Sequence, residues 1–347
     1  GGEYYLASTA NFPVEKIIFH GNNKTNEERR LVLREGVGRW VVDNEVELNL
    51  LLEEASSYAS YKVPLFFRLT PGVDPHTHQY IATGKIDSKF GFPLKEAENA
   101  ILKAIQSENL EVWGLHCHIG SQIDHIEPFL KAAEVMLQFM VDFRKKHGFV
   151  FRELDLGGGL GVPYTDEEKS RFPSSHFYVK EISEKVKEMC GELSYPLPRL
   201  YIEPGRSVVN TAGSTIYRVG SVKEIPGIKK YVAVDGGMTD NPRPVLYGAK
   251  YQAHIGNRVA GEKEKVSVVG KCCESGDVLI EEIELPSPSP GDVLVVEATG
   301  AYNYSMASNY NLIPRPGVVF IREGEPELVV RPENWYDLVR RDITPLE

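Results

Sequence analysis

Short apolar runs alternate with amphipathic stretches over roughly the first 210 residues of the chain. The runs have the length and composition of buried strands, and the segments between them repeat apolar residues at helical spacing. Alternating strands and helices are typical of a parallel α/β fold, so this region predicts six parallel strands. The six runs are Lys16–His20, Trp40–Val42, Pro64–Leu69, Val112–His118, Glu153–Leu156 and Leu200–Glu203.

The clearest helix signal covers residues 128–147. Pro128 suits a first helical turn, and Gly148 follows as a stop signal. The side chains of Leu130, Ala133, Leu137 and Met140 share one face at helical spacing. Asn44 predicts the start of an earlier helix, the one that carries Val46, Leu48, Leu51 and Leu52.

The pattern changes after about residue 215, where short β-rich runs are joined by turn-rich links such as LPSPSPGD. Such spacing is typical of a mostly antiparallel β domain. We therefore predict two domains, residues 1–213 and residues 214–347. The β-rich runs are YRVGSVKEI, KYVAVDGG, EKVSVVG, GDVLVVEATG and GVVFIREG.

Composition narrows the possible functions. The 347 residues are 42% hydrophobic and 25% charged, an ordinary globular mixture, with a formal net charge of -10. An acidic chain argues against a nucleic-acid or anionic-membrane partner, and no apolar run has the length of a membrane span. Four cysteines in this length do not make a disulfide framework, so we expect a reducing cytoplasm.

Polar groups follow three successive predicted strands: His118 to Ser121, Gly157 to Gly161, and Glu203 to Arg206. In a (β/α) barrel the active site is built at these carboxyl ends, and the last loops often hold a phosphate. Consecutive glycines let backbone N–H groups approach an anion, and an arginine adds a bidentate charged contact. The set predicts a phosphate site with a ring beside it, near His118 and Glu203.

Simpler interpretations exist for each motif taken alone. Three glycines often form only a tight turn, and Glu203 could belong to a structural ion pair. His116 and His118 could form a metal pair, although no third ligand with zinc-like spacing follows them. His76 and His78 lie in a long loop, where solvated side chains are the expected interpretation. The combination at three strand ends favours a functional site.

Six longer motifs resemble diaminopimelate decarboxylases: HCHIGSQI, DLGGGLGVPY, IEPGRSVV, DNPRPVLYGA, CCESGDVL and GAYNYSMASNYN, in this order. The resemblance runs through the whole chain. It implies a pyridoxal-phosphate enzyme of the alanine-racemase-like fold type III, with a (β/α)8 TIM-like barrel and a C-terminal β domain. It also implies decarboxylation of meso-2,6-diaminopimelate to L-lysine and CO2, the last step of lysine biosynthesis.

The resemblance implies a set of cofactor-binding residues. His118 stacks on the pyridine ring of pyridoxal 5'-phosphate, and Glu203 pairs with the ring nitrogen and keeps it protonated. The other residues implied in cofactor binding lie at the phosphate end: Ser121, Gly157, Gly158, Gly159, Pro204, Gly205, Arg206 and Tyr302.

Substrate and catalytic residues are implied in the same way. Cys273 matches the family's proton donor, a role suited to a thiol whose pKa its neighbours tune. Glu274 matches the partner of the substrate's distal ammonium group. Cys273 and Glu274 reach the active site of the other subunit in this family, which implies a homodimer with shared sites. The distal carboxylate is assigned to Arg206, Arg243 and Tyr247, with Tyr302 beside them.

One expected group has no match. The family's Schiff-base lysine lies in a stretch like Y-A-x-K-A-N at the first barrel strand, and no such stretch occurs in these 347 residues. Six strand–helix units also fall short of the eight of a closed barrel. We therefore expect the chain to be an N-terminally incomplete decarboxylase, inactive by itself. Lys24, at the end of the first strand, is an unfavoured substitute.

Two alternatives remain open at this stage. The first is a decarboxylase of another basic amino acid or of a carboxylated polyamine, which would not need Arg243 for a distal carboxylate. The second is a non-catalytic relative that binds pyridoxal phosphate or an amino acid and lacks the lysine.

Overall fold

The computed structural model describes residues 1–74, 88–258 and 260–343. The chain divides into two compact units. The first unit comprises Gly1–Gly161 and Pro173–Pro204, and the second comprises Val162–Phe172 and Gly205–Glu347. None of the helices in the described ranges combines the length and the apolar character that crossing a membrane requires.

A parallel sheet forms the centre of the first unit, with the strand order β1-β2-β3-β5-β6-β7 and the short β4 paired to β3. Each of the six predicted runs forms one of these strands, so that prediction is confirmed. Neighbouring strands are in parallel register throughout, for example Leu115 of β5 beside Leu154 of β6. The strands are β1 (Ile18–Phe19), β2 (Arg39–Val42), β3 (Val63–Thr70), β4 (Phe92–Pro93), β5 (Leu110–His116), β6 (Glu153–Asp155) and β7 (Arg199–Tyr201).

Helices connect the strands of the first unit, and the ends predicted at Asn44 and Gly148 are confirmed. The Asn44 side chain accepts a hydrogen bond from the Glu47 N–H, and Gly148 ends its helix in the left-handed conformation at φ 71°. Thr25 and Glu28 form a capping box that the pattern analysis missed. The helices are α1 (Gly2–Thr9), α2 (Asn26–Glu35), α3 (Glu45–Tyr58), α4 (Leu94–Ile105), α5 (Glu127–His147) and α6 (Ser175–Glu192).

The core of the first unit consists of fully buried strand side chains packed against apolar helix faces. Trp40, Phe67 and Leu115 have no exposed surface, and neither do Leu48 of α3 and Met136 of α5. Burial of both faces explains why the strand sequences are continuously apolar instead of alternating. The sheet therefore gives a rigid base to the loops at its carboxyl edge.

The second unit is mostly antiparallel, as predicted. Its six-stranded sheet has the order β10-β13-β8-β9-β11-β12, and only the β9–β11 pair is parallel. A separate hairpin pairs β14 with β15. The elements are β8 (Thr215–Ile225), β9 (Lys229–Val234), β10 (Ala253–Ile255), β11 (Lys263–Val269), β12 (Val278–Pro286), β13 (Val293–Val296), β14 (Val318–Arg322), β15 (Glu325–Val330), and the short helices α7 (Gly205–Val209), α8 (Arg243–Tyr247) and α9 (Trp335–Val339).

A parallel sheet with connecting helices and a C-terminal β unit is thus present. The predicted boundary at residues 213 and 214 lies slightly beyond the point where the two units divide, between Pro204 and Gly205. The closure of an eight-stranded (β/α)8 barrel stays a prediction.

Candidate active site

Three neighbouring strands of the first unit end in polar groups at the same edge of the sheet. His118 follows β5, Gly157 follows β6, and Glu203 follows β7, and these strands are adjacent in parallel register. The loops are hydrogen-bonded to one another: the Glu203 N–H donates to the Gly157 carbonyl at 2.8 Å, and the Gly158 N–H donates to Nδ1 of His118 at 3.2 Å. His118, Gly157, Gly158 and Glu203, which belong to the set predicted from the strand ends, therefore come together in space.

The three-glycine loop is required by close backbone packing. A Cβ atom on Gly157 would overlap the Cys117 carbonyl, one on Gly158 the Glu203 carbonyl, and one on Gly159 the Gly120 carbonyl. Gly157 and Gly159 also have positive φ angles, of 67° and 108°. The glycines thus let three neighbouring loops pack closely together. This agrees in part with the simpler interpretation that they form a tight turn.

The loop amides differ in what they can offer to an anion. The Gly157 N–H donates to Oδ1 of Asp155 at 2.8 Å, and the Gly158 N–H is used by His118. No acceptor is recorded for the Gly159 N–H within the described ranges. Of the three glycine amides, that of Gly159 is therefore the candidate for binding a phosphate oxygen.

The Gly158 contact also determines the state of the His118 ring. Because Nδ1 accepts that hydrogen bond, it carries no proton and the ring orientation is fixed. Burial, followed by the charge of Arg68, lowers the pKa of His118. A neutral, solvent-exposed ring of fixed orientation suits stacking on an aromatic ligand.

Glu203 lies between two histidines. Its Oε1 is 2.6 Å from Nε2 of His20, and its Oε2 is 3.5 Å from Nε2 of His116. Burial favours the neutral acid, but the two histidines outweigh it, so the pKa of Glu203 lies well below its ordinary value. The side chain is 31% exposed, so an ionised carboxylate remains accessible.

Asp155 lies behind this group and behaves in the opposite way. Its side chain is fully buried, and burial followed by the Glu203 charge raises the pKa of Asp155 to about 8. One carboxyl group is therefore neutral and its neighbour charged near neutral pH. Two acids whose pKa values are pushed apart are typical of functional sites.

The remaining first-unit candidates occupy the loop rims. Ser121 is exposed after β5, and Pro204 is half-buried after β7. Lys24 differs, because its side chain is buried and its Nζ contacts the Gly21 and Val41 carbonyls and Oε1 of Glu47 at 2.6 to 2.8 Å. The Lys24 ammonium group is thus held by three protein oxygen atoms, which is typical of a structural role. This supports the expectation that Lys24 is not the Schiff-base lysine.

The sequence places four histidines in two pairs, His116 with His118 and His76 with His78. His116 does not pair with His118; it lies with His20 and Glu203, and these three are the metal-capable group found in the described ranges. His76 and His78 lie outside the described residues.

The second unit holds a cluster of two arginines and tyrosines. The guanidinium of Arg206 lies 4.6 Å from the Tyr302 ring centroid, and that of Arg243 lies 5.3 Å from the same centroid. Tyr164 faces both arginines at 5.9 and 5.7 Å, and its hydroxyl accepts a hydrogen bond from Nη1 of Arg206. Cation–π contacts thus gather two positive charges around Tyr164 and Tyr302.

The positions of these side chains indicate a binding role. Arg243 is 8% exposed and donates from Nε to the Tyr251 hydroxyl at 3.1 Å, while Tyr247 is 66% exposed. Tyr302 has a φ of 70°, an unusual conformation for a non-glycine residue. Strained residues of this kind concentrate at ligand sites. Gly205 has open space where its side chain would be.

The cysteine segment forms a bend. Glu274 donates its N–H to the Cys272 carbonyl at 2.8 Å, and Cys273 donates its N–H to Oδ1 of Asn311 at 2.7 Å. Cys273 and Glu274 are exposed, whereas Cys272 is half-buried. Burial and then Asp277 raise the pKa of Cys272 to about 11. Cys273 is therefore the accessible thiol of the pair.

Sequence reasoning missed three contributors. His20 and Asp155 lie at strand ends: Asp155 was marked as part of the polar segment there but was given no role, and His20 was marked only as the end of its strand. Tyr164 ends the motif DLGGGLGVPY but was assigned no role. A polar residue at the carboxyl end of a parallel strand was the available signal for the first two.

Comparison with known proteins places these features in a family. Residues 1–210 match the family described as pyridoxal-dependent decarboxylase, pyridoxal binding domain. The diaminopimelate decarboxylase of Bacillus subtilis (strain 168) is 49% identical over 346 residues, which cover 99% of this chain and 78% of that protein.

Two solved structures are similar over almost the whole chain. The diaminopimelate decarboxylase of M. jannaschii in complex with L-lysine is 37% identical with a TM-score of 0.92, covering 99% of this chain and 78% of that one. That of Helicobacter pylori, also complexed with L-lysine, is 33% identical with a TM-score of 0.86, covering 98% and 82%. The chain belongs to the diaminopimelate decarboxylase family of pyridoxal-dependent decarboxylases.

Proposed function

We propose that the protein is a carboxy-lyase that converts meso-2,6-diaminopimelate to L-lysine and CO2 with pyridoxal 5'-phosphate. The observation that carries the proposal is the cluster of Arg206 and Arg243 on Tyr164 and Tyr302, two positive charges suited to binding the carboxylate at the distal end of the substrate. Relatives with 37% and 33% identity have been solved with L-lysine, which supports the product.

The residues of the first unit fit the cofactor. Glu203 is an accessible carboxylate, His118 presents a ring of fixed orientation, and the Gly159 N–H has no acceptor within the described ranges. We assign the ring nitrogen to Glu203 and the ring face to His118. We assign the phosphate to the glycine loop with Ser121, Pro204, Gly205, Arg206 and Tyr302. When bound, pyridoxal phosphate accepts the electron pair left on the substrate carbon as CO2 departs.

The protein's own groups handle charge and protons. Glu203 holds a proton on the ring nitrogen because its carboxylate stays ionised between the two histidines. Cys273 carries a proton at Sγ and delivers it to the substrate carbon that has lost CO2. Its exposure fits a group that must meet the substrate.

The distal end of the substrate determines specificity. Arg206, Arg243 and Tyr247 bind the distal carboxylate with Tyr302, and Glu274 binds the distal ammonium group. Burying the charge of Arg243 costs free energy unless an anion lies beside it. A substrate without a distal carboxylate leaves that charge unpaired and is therefore disfavoured.

We further propose a homodimer in which Cys273 and Glu274 serve the partner's site. Both residues are exposed on the surface of the second unit, which supports a role outside the chain that carries them. A reducing cytoplasm fits the four free cysteines.

The test compares two substrates in Arg243 variants of the active enzyme, the form that carries the Schiff-base lysine. Arg243→Ala should lower kcat/KM for meso-diaminopimelate by roughly 10- to 100-fold, the effect of losing one charged hydrogen-bonding partner. L-Ornithine has no distal carboxylate, so any activity on it should be unchanged. Arg243→Lys keeps the charge but not the planar fork and should be intermediate.

The matched control is Arg322→Ala, an exposed arginine on β14. Thermal unfolding checks that each variant is folded. Equal loss on both substrates, or no loss on either, would contradict the assignment of the distal carboxylate and favour a decarboxylase of a simpler basic amino acid.

A further inference from the structure

The strand-end cluster of the first unit contains two histidines that have no assigned contact with the cofactor or the substrate. His20 directly follows β1 and His116 closes β5, so they approach Glu203 from different strands. Their rings meet edge to face at 4.8 Å with an interplanar angle of 64°. Each Nε2 faces a different oxygen of the carboxylate. Glu203 is therefore contacted on both oxygens.

The two histidines are not equivalent. His116 is 1% exposed, and burial lowers the pKa of His116 to about 4, so it is a neutral ring packed in place. Its Nε2 remains 3.5 Å from the carboxylate. His20 is the closer and more accessible partner, at 2.6 Å with 29% of its side chain exposed. His20 therefore makes the shorter contact with the carboxylate.

We propose that His20 is a positioning residue that acts through Glu203. This inference rests on the proposed function, in which Glu203 binds the ring nitrogen of pyridoxal phosphate. A glutamate side chain has several rotatable bonds, and fixing it costs conformational entropy. A contact that already exists before the cofactor arrives reduces that cost and keeps the carboxylate ionised.

A metal centre is the competing interpretation of the same three side chains. Their ligand atoms all lie within 4.8 Å of one another. Around a tetrahedral zinc ion, however, ligand atoms with bonds of about 2.0 Å stand about 3.3 Å apart. The 2.6 Å separation of His20 and Glu203 is that of a direct contact. The geometry favours positioning.

The experiment measures the protonation of the bound ring nitrogen directly. Protein is loaded with pyridoxal phosphate labelled with ¹⁵N in the ring, and its ¹⁵N shift is recorded at pH 7.5. The variants are His20→Phe, which removes the contact, His20→Gln, which restores a donor, and Glu203→Gln, which removes the carboxylate. His176→Gln, an exposed histidine on α6, is the control.

His20→Phe should move the ¹⁵N signal toward the unprotonated ring and weaken pyridoxal phosphate binding roughly tenfold, within the range for loss of a charge-assisted contact. His20→Gln should recover most of both effects. His176→Gln should match the wild type. The Glu203→Gln shift should be at least as large as that of His20→Phe.

Four results would overturn the proposal. The first is a wild-type signal and affinity in folded His20→Phe while Glu203→Gln shifts, which would leave the proposed function intact. The second is an unshifted signal in Glu203→Gln, which would remove the cofactor assignment as well. The third is weakened binding in both His20 variants without a ¹⁵N shift, which would indicate a merely structural role. The fourth is stoichiometric Zn²⁺ binding that His20→Phe abolishes, which would assign the three side chains to a metal.

Discussion

At the scale of a single residue, the buried carboxyl group of Asp155 links the stability of the protein to pH. Its pKa is raised to about 8, first by burial and then by Glu203, so the folded protein holds a proton that the unfolded chain releases near pH 4. Between these two values the native state binds more protons than the unfolded state. Stability from this group is therefore fully present below about pH 4 and is lost as the pH rises through 8.

We expect Asp155→Asn to remove this dependence. The amide oxygen can still accept the Gly157 N–H, and no carboxyl group is left to ionise. The midpoint of thermal unfolding of the variant, relative to that of the wild type, should rise by several degrees between pH 5 and pH 8. Asp142→Asn, on the exposed face of α5, should follow the wild type at both pH values. Parallel curves for Asp155→Asn and the wild type would refute the raised pKa.

Individual site residues were predictable to different degrees. His118, Gly157 and Glu203 follow strands, so their shared location depends only on strand direction. The roles of Arg243 and Cys273 came from the family resemblance alone and remain proposals. The contact of His20 with Glu203 was not predictable, because it depends on side-chain directions across three strands that no periodicity records.

At the scale of elements, the strands are packed closely enough that single methyl groups matter. Gly114 lies in β5, directly opposite Glu153 of β6. A Cβ atom there would overlap the Glu153 carbonyl, a backbone group that cannot move without disturbing the sheet. Gly191 lies in helix α6 with nothing within 4 Å of its missing side chain.

These two glycines should respond to alanine in opposite directions. Gly114→Ala should lower the free energy of unfolding by about 1–3 kcal/mol through overpacking. Gly191→Ala should raise it by up to about 1 kcal/mol, since alanine is the better helix former and restricts the unfolded chain. Chemical denaturation followed by far-UV circular dichroism measures both. Destabilisation by Gly191→Ala, or none by Gly114→Ala, would contradict the described packing.

Most elements could be predicted because their signals are local. Helix α5 has its proline start and glycine stop, and α3 has its asparagine cap. Strand β12 was not singled out, because Glu281, Glu282 and Glu284 interrupt its apolar pattern on a half-exposed sheet. Its pairing with β11 depends on non-local contacts, which a window of sequence does not contain.

At the scale of the whole molecule, the candidate residues are divided between two units. The cofactor ring residues lie in the first unit, and the arginine–tyrosine cluster and Cys273 lie in the second. The sequence predicted both architectures from the change in periodicity near residue 215. The assembly of subunits has no comparable signal in a single chain, and its prediction depends on the family resemblance.

Shared active sites make a quantitative prediction for mixed dimers. If Cys273 serves the partner's site, His118→Ala and Cys273→Ala should each be inactive as homodimers. Mixing equal amounts and allowing exchange of subunits places one intact site in each hybrid dimer. Because half of the dimers are then hybrid, CO2 release from meso-diaminopimelate should recover to about a quarter of the wild-type value.

The control for this experiment uses two variants in the same segment. Cys273→Ala and Glu274→Ala impair the same contributed group, so every site of their hybrid contains one defect and mixing should restore nothing. Recovery in this control would mean that the assay detects contaminating enzyme. No recovery with His118→Ala, once mass spectrometry has shown that hybrids form, would mean that each chain uses its own Cys273. The exposure of Cys273 and Glu274 would then need a different explanation, in which the segment carrying them moves within its own chain.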